Sequence, residues 1–190
     1  KTPSGDTSSG KTPSGDTSGS TPPASQTKEG AVFSYKIQHG KSIKEPKDAL
    51  LASDDQRLGI GSKASGMSSI LDLNMSAKLK EKTTYTSLKI EMEAASESAG
   101  NFKVSLLNVS SSQWTEVGTV KLGETDTKIA VDVPSGATYV GKTGEVQIRL
   151  YRAKKVWNGF EVGIDRVRVS GTEKAADSNN AKDSSGDKAK

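Results

Sequence analysis

The sequence predicts an all-β fold: an antiparallel β-sandwich or jelly roll of about nine strands. Three observations carry this. Apolar side chains recur with a period of two in one run after another, turn-forming clusters separate the runs, and no stretch has a convincing long helical pattern. The apolar residues are also confined. All nine aromatic residues lie between Phe33 and Phe160, and neither residues 1–30 nor 171–190 contain Ile, Leu, Phe, Tyr or Trp. One domain over 31–171 follows, between polar segments at 1–30 and 172–190.

The strands can be justified in order. Segments 31–37, 56–61 and 67–74 are the first three. Leu88, Ile90 and Met92 alternate with charged residues, and Phe102, Val104 and Leu106 repeat the pattern. A strand at 114–121 follows, then Ile129, Val131 and Val133, then Val146, Ile148 and Leu150. Side chains two apart share one face of a strand, so each run has a buried and a solvated side. That rule puts Arg149 and Tyr151 together, opposite the apolar triplet. In the last strand, 160–169, Phe160, Val162 and Ile164 are one residue out of phase with Val167 and Val169. A bulge at Asp165-Arg166 would bring both sets inward. Turns are expected at Ser98-Ala99-Gly100, Ser110-Ser111-Ser112, Gly123-Glu124, Pro134-Ser135-Gly136 and Gly141–Gly144, and a short helical turn at Pro46–Ala52.

The decapeptide KTPSGDTSSG is followed by its near copy KTPSGDTSGS. Residues of these types bury too little apolar surface to offset chain entropy, so both end segments are expected to be disordered linkers joining flanking modules of a larger chain. Linkers of this kind are common in secreted proteins, which points to an extracellular or cell-surface location.

Composition excludes several functions. There is no Cys, which removes thiol nucleophiles, disulfides and zinc fingers, and the one histidine, His39, leaves little room for a multi-His metal site. His39 itself is expected in an exposed loop. No window has the ~20 consecutive apolar residues of a membrane helix, so no membrane insertion is expected. The net charge of +4 belongs to the middle of the chain, where 20 basic residues stand against 16 acidic ones. Such a bias is too slight for a nucleic-acid footprint. Neighbouring carboxylates such as Asp54/Asp55 and Glu91/Glu93 fall on different faces or along an exposed edge, and the abundant hydroxyls lack a nearby His. An enzyme is therefore not expected.

The stretch from LKIEMEAASESAGNFKVSLLNVSSSQWTEVGT, through GEVQIRLYR, to IDRVRVSG resembles the galactose-binding-like jelly rolls found as carbohydrate-binding modules of secreted bacterial proteins. In such domains a strand like VSLLN leads through a polar hairpin to a Trp-containing strand, and a strand like IDRVRVSG closes the sheet. The resemblance covers about 115 of the 190 residues. It implies flat aromatic side chains that meet the C–H face of a sugar ring, with polar groups taking its hydroxyls. Trp114 and Trp157 are the obvious candidates, with Tyr151, Tyr139 and Tyr85 behind them. Trp157 lies in the loop sequence YRAKKVWNGF, as a platform or as an anchor folded back on the core. Trp114, directly after a hairpin, is a platform or the residue that packs that hairpin onto the sheet.

The densest charge is Arg149, Arg152, Lys154 and Lys155, with Arg166 and Arg168 on the next strand. If the last two strands pair, these could line one surface for an anionic glycan or for neutral sugar hydroxyls; the alternative is a solvated face kept charged for solubility. The resemblance also implies a structural Ca2+, with Asp165 and Asp54 or Asp55 as ligands. The reading that results is a non-catalytic module tethering an extracellular protein to a polysaccharide. Its rival is a structural or protein-interaction sandwich of a cell-surface protein with no glycan ligand.

Overall fold

The computed structural model describes residues 26–46, 50, 51, 54, 56–81, 83–155 and 158–174. Eleven antiparallel strands and one 3-10 turn make up this part of the chain: β1 (Thr27–His39), β2 (Lys41–Lys44), β3 (Leu58–Gly61), β4 (Lys63–Ser65), β5 (Ser68–Lys78), β6 (Tyr85–Ser96), β7 (Gly100–Asn108), β8 (Gln113–Leu122), β9 (Thr127–Pro134), the turn Gly136–Thr138, β10 (Glu145–Lys154) and β11 (Glu161–Glu173). The two beyond the expected nine are β2 and β4. Both are short and mostly exposed, so no alternation announces them. The expected helical turn at Pro46–Ala52 falls largely outside the described residues.

Pairing makes two layers. In one, β11 lies between β6 on one side and β3 and β1 on the other, with β9 and β2 at the edges. In the other, the order is β8–β7–β10–β5, and β5 is bordered by β4 and β1. Strand β1 belongs to both: Thr27–Ala31 pair with β11, and from Val32 onward it pairs with β5. It therefore begins four residues ahead of Ala31, inside the expected linker, while β11 runs on to Glu173. Thr27–Gly30 are polar and join the sheet by backbone pairing, which a hydropathy reading does not detect. Gly30 is required there, since a Cβ would collide with the Lys78 carbonyl. The rest of both expected linkers, 1–25 and 175–190, lies outside the described residues.

The inward faces of the two layers form one core. Leu71, Leu73, Met75, Phe102, Val104, Leu106, Ile148 and Leu150 come from one, and Leu88, Ile90, Val162, Ile164, Val167 and Val169 from the other; each is essentially inaccessible. Phe102 and Phe160 meet edge to face with centroids 6.0 Å apart, a favoured aromatic geometry. The phase change in β11 is resolved as the sequence suggests. The register with β6 shifts between Ile164 and Arg166, so Asp165 is the extra residue and both apolar sets point inward. Leu50 and Asp54, between β2 and β3, meet this bulge: the Val167 N–H donates to the Leu50 carbonyl (3.2 Å), and the Asp54 N–H donates to Asp165 Oδ1 (3.4 Å).

Candidate functional site

The outer face of the β8–β7–β10–β5 layer gathers the side chains of interest. Directly opposed residues in antiparallel strands share a face, so the register lists what meets there. Arg149 stands between Asn74 on β5 and Ser105 on β7; Tyr151 stands between Asp72 and Lys103. The β7–β8 hairpin then sets Glu116 opposite Ser105 and Trp114 opposite Leu107. Ser112, at a positive φ of 55°, closes that hairpin.

Arg149 is the centre of the group. Its Nε donates to Asp72 Oδ1 (2.7 Å) and its Nη2 to Asp72 Oδ2 (2.5 Å), a forked pairing that fixes the guanidinium plane. The guanidinium carbon lies 5.2 Å from the Tyr151 ring centroid and 5.9 Å from that of Trp114, both within cation–π range. The Arg149 side chain is still 30% exposed, against 13% for Asp72. Hydrogen bonding and charge from Asp72 raise the Arg149 pKa further, against the opposing effect of burial. Beside this pair, Lys103 Nζ donates to Glu116 Oε2 (2.8 Å) and Thr119 Oγ1 to Glu116 Oε1 (3.1 Å). Those bonds hold the Glu116 carboxyl below its ordinary pKa and raise the Lys103 ammonium above its own. Trp114 and Tyr151 are each half-buried, with part of each side chain open to solvent.

Other expected members of the site lie elsewhere. Arg152 is a correction: it faces inward with Leu150 and is only 7% exposed. Its Nη1 donates to the Ser98 carbonyl (2.6 Å) and its Nη2 to the Ala99 carbonyl (3.0 Å), and the group lies over the Phe102 and Phe160 rings at 4.9 and 4.5 Å. Burial lowers its pKa. It ties the β6–β7 turn to the core and does not face the platform. β10 and β11 do not pair but lie in different layers, so Arg166 and Arg168 are on the opposite sheet, where Arg168 approaches Glu29 at 3.5 Å. Lys154 donates to Ser98 Oγ at 2.8 Å. Lys155 is exposed in the bend after β10, six residues beyond Arg149, roughly 20 Å of strand rise away. Tyr85 is buried in the core, while Tyr139 is half-buried and lines a hollow with Leu107, Glu145 and Gln147 beside the Trp114 end of the platform. Trp157 lies outside the described residues. His39, expected in an exposed loop, ends β1 opposite Asp72 and is half-buried.

The calcium expectation meets a poor fit. Asp165 is 1% exposed and is approached by the Asp54 main-chain N–H; the Asp54 carboxylate accepts from the Gln56 N–H at 3.2 Å. Asp55 lies outside the described residues. Among the described residues no three His, Cys, Asp or Glu side chains converge, whereas Ca2+ takes roughly six to eight oxygens. A second hollow, on the other layer, is lined by Arg57, Glu97, Glu124 and Glu161 but by no aromatic ring, and so offers no face for a pyranose to stack on.

Sequence reasoning missed Lys103 and Glu116 and, at the centre of the site, Asp72. The signal for Asp72 was present: a carboxylate in the middle of a predicted strand, between Leu71 and Leu73.

No protein-family model and no curated protein matches the chain. Solved structures do align with it. A family 4 carbohydrate-binding module is 15% identical over 72% of this chain and 77% of its own, with a TM-score of 0.43. A family 61 module solved with β-1,4-galactotriose is 8% identical over 72% and 88%, with a TM-score of 0.45. A family 36 module of a multidomain xylanase from the hindgut metagenome of Trinervitermes trinervoides is 12% identical over 76% and 96%, at 0.41. By its own strand pairing the described part of the chain is an antiparallel β-sandwich, and the solved structures that align with it include carbohydrate-binding modules.

Proposed function

We propose that the chain is a non-catalytic carbohydrate-binding module that holds a polysaccharide on the outer face of the β8–β7–β10–β5 layer, tethering there the extracellular protein it belongs to. The observation that carries this is the Arg149 guanidinium, oriented by Asp72 and flanked by the Trp114 and Tyr151 rings. A pyranose presents an apolar C–H face and a rim of hydroxyls. Partly exposed rings beside fixed donors and acceptors match both. Binding without hydrolysis is favoured by the carboxylates themselves. A general acid needs a raised pKa, whereas Glu116 is held low by Lys103, and both oxygens of Asp72 are engaged by Arg149.

The test is retention on immobilised polysaccharides by Trp114→Ala and Tyr151→Ala. Each should lose at least about tenfold in affinity, or roughly 1.4 kcal/mol, while still unfolding cooperatively. Full retention by well-folded forms of both variants would remove this face from the binding site.

A further inference from the structure

The cations beside the rings are already neutralised. Arg149 spends two of its N–H groups on Asp72, and Lys103 is paired with Glu116. A guanidinium carries five N–H donors, so three remain on Arg149 for a ligand, directed from a group whose charge is balanced locally. The carboxylate oxygens of Asp72, in turn, keep lone pairs that a hydroxyl could use. Among the described residues the nearest cation of the same face outside these pairs is Lys36, across β5 from Arg149, about 10 Å away at two strand spacings. The remaining carboxylate of this face, Glu145, accepts from Gln147 Nε2 at 3.2 Å. A ligand carboxylate or sulfate brought against Arg149 would therefore meet the Asp72 charge, with no surplus cation of the described residues between the two rings.

We propose that Asp72 sets the ligand class: by pairing with Arg149 it makes the platform a reader of hydroxyls, which takes an uncharged glycan and rejects a uronate or a sulfated one. This rests on the reading that the face binds glycans. It assigns Asp72 a role in specificity separate from that of the rings, which supply contact area to any sugar. Arg149 without Asp72 would be a partly exposed guanidinium between two aromatic faces, a site suited to an anion.

The experiment is isothermal titration of the full chain with mixed-linkage β-glucan, galactomannan and arabinoxylan as uncharged probes and polygalacturonate and chondroitin sulfate as charged ones, at low and high salt. The parent should bind at least one uncharged polymer, with affinity constant to within about twofold as the Debye length falls from ~30 Å at 0.01 M to ~3 Å at 1 M. Asp72→Asn should gain at least about tenfold for a charged polymer, and that gain should disappear as the salt rises. Asp72→Asn raises the net charge of +4 by one, so the double variant Asp72→Asn/Trp114→Ala, with that same charge but without the ring, subtracts non-specific attraction of polyanions to the chain. Glu116→Gln, at an exposed position, frees Lys103 without endangering the fold and should give a smaller gain of the same kind. Folding of each variant is checked by thermal unfolding. A parent that binds polygalacturonate best, and loses it in salt, overturns the role of Asp72 but leaves glycan binding standing. Folded variants that gain nothing overturn it equally. A parent that binds none of the five overturns the underlying reading as well.

Discussion

Replacing Arg152 with Ala separates the two ways of reading the basic run in β10. The side chain is buried, donates to the Ser98 and Ala99 carbonyls and lies over two phenyl rings. Hydrogen bonds from a charged donor contribute about 1.5–3 kcal/mol each, and ring contacts of this kind about 0.5–2 kcal/mol. Against these losses, the truncated protein no longer has to desolvate a cation, a cost of several kcal/mol. The balance is a destabilisation of about 2–4 kcal/mol. Arg152→Met should recover part of it, since a thioether against aromatic rings contributes about 0.3–1.5 kcal/mol. Urea denaturation followed by fluorescence measures both. With a slope of about 1–3 kcal/mol per molar, a loss of 3 kcal/mol moves the midpoint by roughly 1–3 M. Lys155→Ala, at an exposed position, is the control and should unfold with the parent. If Arg152→Ala unfolds at the parental midpoint and yet loses polysaccharide retention, Arg152 is a ligand residue and its assignment to the core is wrong.

Two further outcomes are expected. Ile148→Ala empties a fully buried site and should cost about 2–5 kcal/mol, whereas Gln147→Ala, one residue along on the outer face, should cost little; equal midpoint shifts in urea would invert the face assignment. Because the folded-state pKa of Glu116 is lowered, its pairing with Lys103 contributes above the ordinary glutamate range and is lost as the pH falls through that lowered value. In Lys103→Met the Glu116 carboxyl should titrate at a higher pH than in the parent by NMR, and coincident curves would show that the pair does not form in solution.

Alternation was legible wherever a strand has one buried and one solvated face. It gave the inward residues of β6, β7, β10 and β11, and it located the bulge because two apolar sets an odd number of residues apart cannot share a face. Arg152 shows what happens when charge is weighed above periodicity. Its spacing from Leu150 already placed it inside, and clustering with Arg149 obscured that. Pairing between strands distant in the chain was not legible. Nothing in the sequence of β10 states that its neighbours are β5 and β7, so the union of Arg149 with Asp72, 77 residues away, appears only once the sheet is assembled. The β2 and β4 strands were invisible for a simpler reason: Lys41–Lys44 and Lys63–Ser65 bury almost nothing, and only backbone pairing defines them.

The place of β11 in its layer bears on how the molecule comes into being. It is the last of the described strands, yet it lies in the interior of its sheet, flanked by β6 on one side and by β3 and β1 on the other. A ribosome adding about 5–20 residues per second makes every other described strand first. Until Glu161–Glu173 has cleared the exit tunnel, β6 and β3 each lack the neighbour that satisfies one row of their backbone groups, and the apolar surface that Val162, Ile164, Val167 and Val169 will cover stays wet. The nascent sandwich thus carries open β edges on both sides of this gap until Glu161–Glu173 arrives, and that one segment closes them together.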